Sequence, residues 1–238
     1  MRPDFAYPRP DFDRSHCWAS LNGEWDFHAD PDNQGQTDHW EQSGSADWPE
    51  RIVVPFSWET SASHIAREWL PVCWYHCQIQ RPEQWTHTQT ILHFGAVHYY
   101  CQVWLNGQRV GEHTGGYLPF SFDITDRLEN GLGELVVRVE APLDKLSIPH
   151  GKQRSRPADD YDGCAFTASS GIWQAVWLEG RPTTYIEQVQ LSPTAHLTAI
   201  QALITLNGPH LADAALVVQI EGEAEQTVSV EGRSTLSV

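Results

Sequence analysis

Cys101-Gln102-Val103-Trp104-Leu105-Asn106-Gly107-Gln108-Arg109-Val110 is the stretch on which the fold turns. Two strand-like runs flank Asn-Gly, and that dipeptide suits a two-residue type I′ turn because both central positions need positive φ. The stretch therefore reads as a β-hairpin. Outward from it, the period-two pattern of a strand recurs. Thr90, Leu92 and Phe94 alternate with their neighbours, as do Phe120, Phe122 and Ile124, then Leu135, Val137 and Val139, then Val176 and Leu178. Each set predicts one buried face. Pro and Gly interrupt every candidate amphipathic helix. Short strands at roughly 8–12-residue spacing predict an all-β sandwich, jelly roll or barrel.

Composition permits a packed core, with 238 residues, 40% hydrophobic and 19% charged. That length suits one large domain or two ordinary ones. The chain holds 11 Trp, 7 Tyr and 8 Phe. Such rings fill a sandwich core, and an indole face also covers the apolar C–H side of a pyranose while its N–H keeps a partner. A formal charge of −16 repels phosphate backbones and anionic lipid, so neither nucleic acid nor a membrane surface is an expected partner. No stretch approaches the ~20 apolar residues of a membrane span.

The first ten residues, Met1 to Pro10, lack the apolar region of a secretory signal. The 5 cysteines are an odd number in a chain too large to need disulfides. Cys73 and Cys77 lie in an extended run whose rise of ~3.3 Å per residue holds them too far apart to bond. Reduced thiols in a cytoplasm are the expectation.

Pro182 closes this first set of strands. Beyond it, Ile186–Leu191, Ala202–Leu206, Ala215–Ile220 and Thr227–Val230 read as about four more. An immunoglobulin-like sandwich needs ~7 strands and ~100 residues. Thr184–Val238 is roughly half of that length, and four strands leave an apolar face without its partner sheet and an edge unprotected. Either the chain is a fragment, or the tail borrows strands from another chain.

Several stretches, taken in order, resemble the N-terminal region of family 2 glycoside hydrolases, the group of β-galactosidases, β-glucuronidases and β-mannosidases. They are Leu21-Asn22-Gly23-Glu24-Trp25-Asp26-Phe27, Ile52-Val53-Val54-Pro55-Phe56-Ser57-Trp58-Glu59, Trp74-Tyr75, and Leu92-His93-Phe94-Gly95-Ala96-Val97. Val103–Gly107 with Val110-Gly111, Gly115-Gly116-Tyr117-Leu118-Pro119-Phe120, and Ser170-Gly171-Ile172-Trp173-Gln174 with Val176-Trp177-Leu178 complete the set. The resemblance implies a jelly-roll (galactose-binding-like) sugar-binding sandwich over residues 1–183. The first strands of an incomplete immunoglobulin-like sandwich would follow over 184–238, with a (β/α)8 barrel beyond.

Retaining glycoside hydrolysis uses two carboxyl groups about 5–5.5 Å apart. In the family resembled, both are barrel glutamates, and the acid/base follows an Asn. Here Asn22, Asn106, Asn130 and Asn207 precede Gly and Asn33 precedes Gln, so the Asn-Glu pair is missing, as is the ~250-residue barrel. No catalytic residue is assigned, and the chain alone is expected to be inactive. No cofactor is expected. Cys73, His76 and Cys77 do not form a zinc set, because His76 faces away from the two thiols on a strand and no second pair exists. Ser121, Ser169 and Ser170 lack a nucleophile elbow. Gly111, Gly115 and Gly116 form no phosphate loop and are read as a strained turn.

Ser147–Cys164 is long, polar and poor in strand pattern, as functional or disordered loops are. In galactosidases of the family, the loop before Ser-Gly-Ile carries an acidic residue, six positions ahead of the Gly, that meets sugar and sodium. Ala165 occupies that position here, so neither contact nor ion is carried over. Asp159, Asp160 and Asp162 are near enough to substitute, and with Lys152 and Gln153 they form the candidate substrate-binding set. A solvated acidic loop held by Lys152, Arg154 and Arg156 is the plainer reading.

The expected function is the carbohydrate-binding, accessory part of a retaining β-glycosidase. Its partners would be a β-linked sugar or glycoside and the catalytic barrel of the same polypeptide, with homo-oligomerisation open. A free-standing lectin-like module and a structural or assembly sandwich are the alternatives, and fold alone does not separate them.

Overall fold

The computed structural model describes residues 7–9, 14–85, 88–144, 147–155, 165–197, 199–209, 211–219, 225–230, 232 and 235–237. The chain divides into two compact units, Met1–Gly180 and Arg181–Val238. Among the described residues all helical elements are short 3-10 turns, and none is long and apolar enough to cross a membrane.

The first unit is a β-sandwich of two principal sheets. One has the order β3 (Glu50–Val54), β2 (Gly23–Ala29), β4 (Val72–Gln80), β10 (Leu132–Glu140), β7 (Tyr100–Leu105), β8 (Gln108–Thr114), every neighbour antiparallel. The other has the order β1 (Trp18–Ser20), β14 (Val176–Arg181), β5 (Gln89–Phe94), β9 (Phe120–Asp123). Two short pairs close one end: β6 (Val97–His98) with β13 (Gly171–Ile172), and β11 (Gln153–Arg154) parallel to β12 (Phe166–Thr167).

The hairpin of β7 and β8 forms as its Asn-Gly requires, with φ of 51° at Asn106 and 72° at Gly107. Asn106 does more than turn: its side chain accepts from Glu134 N at 2.8 Å and donates to Arg127 O at 2.9 Å. Between the sheets, every second residue enters one apolar core. Trp25, Phe27, Tyr75, Val103 and Val137 come from the larger sheet, and Leu92, Phe94, Val176 and Leu178 from the smaller. At about 25 cal/mol per Å² of apolar surface, burial of this kind is the main force closing the sandwich.

Alternation predicts a solvated outer face, yet much of the outer surface is covered. On the larger sheet the outward Trp74, Trp104 and Val136 form a second cluster with Trp40 and Trp48, which come from the turn-rich segment between β2 and β3. Asp30 pins that segment, accepting from Gln34 N at 2.7 Å, Gly35 N at 3.0 Å and Trp74 Nε1 at 2.9 Å. Arg138 is buried under it and donates to Asn33 and Glu140, each at 2.6 Å in its shortest bond. On the smaller sheet, Ile91, His93 and Glu179 are also buried. Gly111 departs from expectation as well: it lies within β8 beside a bulge, where an added Cβ would stand 2.9 Å from Phe122 Cδ1. Gly115, at φ 125°, is the member of the trio that does occupy a strained turn.

The second unit holds five strands among its described residues, one more than the sequence suggests. β15 (Tyr185–Pro193), β16 (Ile200–Asn207) and β19 (Thr235–Ser237) form one sheet, and β17 (Ala215–Val218) pairs with β18 (Gln226–Ser229). Its small core is Ile204, Leu206, Leu216 and Val230. Leu191 and Ile200, farther along the apolar face that carries Ile204, remain exposed.

Candidate functional site

At one end of the first unit's sandwich, four separate motif segments meet. Ser57-Trp58-Glu59 follows β3, Val97-His98 is β6, Gly115-Gly116-Tyr117 follows β8, and Ser169 to Trp173 carries β13. Glu59 accepts from Ser170 N at 3.0 Å. Ladder pairs Gly171–His98 and Ile172–Val97 fix the next two residues, and Tyr75, rising from the core, accepts from Ile172 N at 3.3 Å. Trp173 Nε1 donates to Gly116 O at 2.8 Å. Tyr117 then stands edge-on to both Trp173 and His98, at 6.3 and 6.2 Å between ring centres.

Glycine makes this convergence possible. Gly171 has φ 83°, and a Cβ there would lie 2.7 Å from the Trp58 ring and collide with the Tyr75 hydroxyl. Gly116 is similarly tight, since a Cβ would stand 3.1 Å from His98 Cγ.

The electrostatics are those of a dry, polar end. Burial raises the Glu59 carboxyl above its usual range, against the lowering effect of the Ser170 amide. Burial, reinforced by nearby His150, lowers His98 to about 4, so the ring is neutral at pH 7. Trp58 Nε1, Glu59 Oε1, Ser170 Oγ and both His98 ring nitrogens are buried with no hydrogen-bond partner among the described residues. Native interiors leave few such atoms, so five gathered at one end set it apart.

Gln153 belongs to this cluster. Its Oε1 accepts from Ser169 N at 2.6 Å and its Nε2 donates to Tyr117 Oη at 3.4 Å, so it ties the β11 strand to the Ser-Gly-Ile segment. Lys152 is exposed in a left-handed turn at φ 67°, and its carbonyl accepts from Phe166 N at 3.0 Å. Asp159, Asp160 and Asp162 lie outside the described residues. Sequence reasoning quoted Glu59 inside a motif and gave His98 no role. The sole signal for Glu59 was an acidic residue closing a Pro-Phe-Ser-Trp run, and His98 carried none.

Cys73 points into the core, while His76 sits on the opposite face between Asp26 Oδ2 at 2.6 Å and Glu134 Oε1 at 3.0 Å. No group of three or more His, Cys, Asp or Glu side chains among the described residues is arranged to hold a metal ion.

A β-sandwich that gathers polar and aromatic loop residues at one end is an architecture able to present a ligand site, with the scaffold in the strands and the contacts in the loops. Its lineage is specific. The chain belongs to the glycosyl hydrolases of family 2, whose sugar binding domain matches residues 18–182. It is 29% identical over 221 residues to the β-glucuronidase of Felis catus, covering 82% of this chain and 33% of that protein. The apo structure of β-glucuronidase from Ruminococcus gnavus superposes with a TM-score of 0.66 at 25% identity, over 93% of this chain and 38% of that one. The same enzyme solved with D-glucuronic acid superposes with a TM-score of 0.64. The chain thus spans about a third of the length of the curated relatives it matches (33% for the feline enzyme), and no catalytic barrel lies among its described residues.

Proposed function

We propose that this chain is the accessory wall of a β-glucuronidase: it packs beside a catalytic barrel of the same polypeptide and helps shape the pocket in which a β-glucuronoside is hydrolysed with retention. The observation that carries this reading is the Glu59–His98–Ser170 end, where five buried polar atoms lack partners. Native interiors rarely leave such atoms unpaired, so their gathering marks this end of the sandwich as the one set apart for function. The relatives named above are β-glucuronidases, and one was solved with D-glucuronic acid, which supports the uronoside as substrate. Contacts of this kind orient substrate without performing chemistry. Asp159, Asp160 and Asp162, with Lys152 and Gln153, remain the proposed loop for sugar contact. The boundary proposed for the sugar-binding domain is residue 183, with a partial immunoglobulin-like sandwich from 184.

The test is hydrolysis of nitrophenyl β-D-glucuronide by the 238-residue chain and by the longest polypeptide its gene encodes. The chain alone is expected to show no turnover. In a longer, active polypeptide, Glu59→Ala is expected to raise KM for the glucuronide more than it lowers kcat. Turnover by the chain alone would overturn the reading.

A further inference from the structure

Asn-Gly pairs punctuate the chain at Asn22, Asn106, Asn130 and Asn207. In such a pair the backbone nitrogen of the glycine can attack the preceding side-chain amide, because no Cβ shields that nitrogen. Whether the folded chain permits the attack depends on how each pair is held.

Asn22 is 2% exposed, and its Oδ1 accepts from Val176 N at 2.9 Å. The Asn106 amide is tied at both ends, to Glu134 N and Arg127 O. Asn207 is exposed, but it ends β16 in register with Tyr185, and Gly208 is wedged so tightly that a Cβ there would stand 2.5 Å from Thr184 Cα. Asn130 is held by none of these means. It is exposed, and its side chain makes no hydrogen bond among the described residues. The turn closes around it through Glu129 N to Leu132 O at 2.9 Å and Leu132 N to Glu129 O at 3.0 Å, while Gly131 O accepts from Arg81 N at 2.8 Å. The Gly131 nitrogen donates to none of these. Gly131 is buried, yet a Cβ there would meet its nearest neighbour, Arg81, only at 3.8 Å, so the peptide has room to move.

We propose that Asn130-Gly131 is a site of spontaneous deamidation, with water as the co-reactant. The Gly131 nitrogen loses its proton to solvent base and bonds to Asn130 Cγ. The Cγ–Nδ2 bond then breaks, and the departing nitrogen takes a proton from solvent and leaves as ammonia. Water opens the resulting succinimide. Cleavage of the new N–Cγ bond gives aspartate; cleavage of the original peptide bond gives isoaspartate, which lengthens the turn. Nothing is oxidised or reduced, and either product adds one negative charge to the turn entering β10.

The test is incubation of the 238-residue chain in warm, mildly alkaline buffer, followed by peptide mass mapping of the Asn-Gly pairs and enzymatic labelling of isoaspartate. Asn22 and Asn106 must first break the bonds that hold them, so Asn130 is expected to convert at least about tenfold faster than either. Asn207 is expected to convert more slowly than Asn130. In urea the rates should converge, because the protection belongs to the fold. Asn130→Ser should remove the acidic form that accumulates on ion exchange. Conversion of another pair as fast as Asn130 in the folded chain, or an acidic form that persists in Asn130→Ser, overturns the proposal. So does an Asn130 that stays intact in buffer while the urea-unfolded chain converts.

Discussion

Replacing Glu179 with glutamine removes a buried charge and reverses one of its two hydrogen-bonding edges. Oε1 accepts hydrogen bonds from Tyr7 Oη and Trp177 Nε1, and a glutamine carbonyl in that place can accept the same two. Oε2 faces Arg14 at 3.4 Å and His93 Nε2 at 3.4 Å, so there the variant sets an NH2 donor against donors. Burial opposes the charged form of Glu179, but the His93 ring, Trp177 and Tyr7 outweigh it and hold the carboxyl at about 2, against an ordinary 4.5. Such a depression corresponds to about 3 kcal/mol, at ~1.4 kcal/mol per tenfold. Part of that depression comes from the charge of a protonated His93, and burial lowers His93 so that its ring is neutral at pH 7, which brings the expected loss at neutral pH to about 2 kcal/mol. Because the folded-state pKa is lowered, this stabilisation is present above pH 4.5 and disappears as pH falls toward 2. Urea unfolding followed by tryptophan fluorescence measures it cleanly, since all 11 Trp lie between Trp18 and Trp177, in the first unit. Wild type and Glu179→Gln should differ by about 2 kcal/mol at neutral pH and converge in acid. A gap under about 0.5 kcal/mol, or one unchanged in acid, would refute the reasoning.

Three further outcomes are expected. Gly171→Ala, which strains a φ of 83° and drives a methyl into Trp58 and Tyr75, should cost at least about 2 kcal/mol and lower the melting temperature; an unchanged melting curve would contradict the packing. Asp30→Ala strips the acceptor from two backbone amides and the Trp74 indole, and should cost about 3 kcal/mol in urea with a red-shifted emission as the Trp40–Trp48 cover loosens. His98, lowered from 6.5 to about 4, contributes stability that is present above pH 6.5 and lost as pH falls through about 4. His98→Phe should remove that slope, so that the wild type loses on the order of 2 kcal/mol more than the variant across the same interval; parallel pH profiles would show that His98 does not titrate there.

Local features of this protein were legible because their causes are local. Asn106-Gly107 announces a hairpin since left-handed φ is a property of two residues, and Leu135, Val137 and Val139 announce a buried face since pleating has period two. The ordered motifs were enough to recognise the family. Alternation nevertheless misjudged the outer faces, because whether Trp74 or Arg138 meets water depends on where the segment after Asp30 folds back. The Glu59 end depends on a bond between residues 111 positions apart, and the Glu179 anchor on one spanning 172. Contacts across such separations leave no periodicity in either segment, because each partner is chosen by the closed sandwich rather than by its neighbours in the chain. Residue type and spacing therefore determined the strands, the turn and the lineage. Which polar atoms are buried together, and which of them lack partners, was decided only when the two sheets packed.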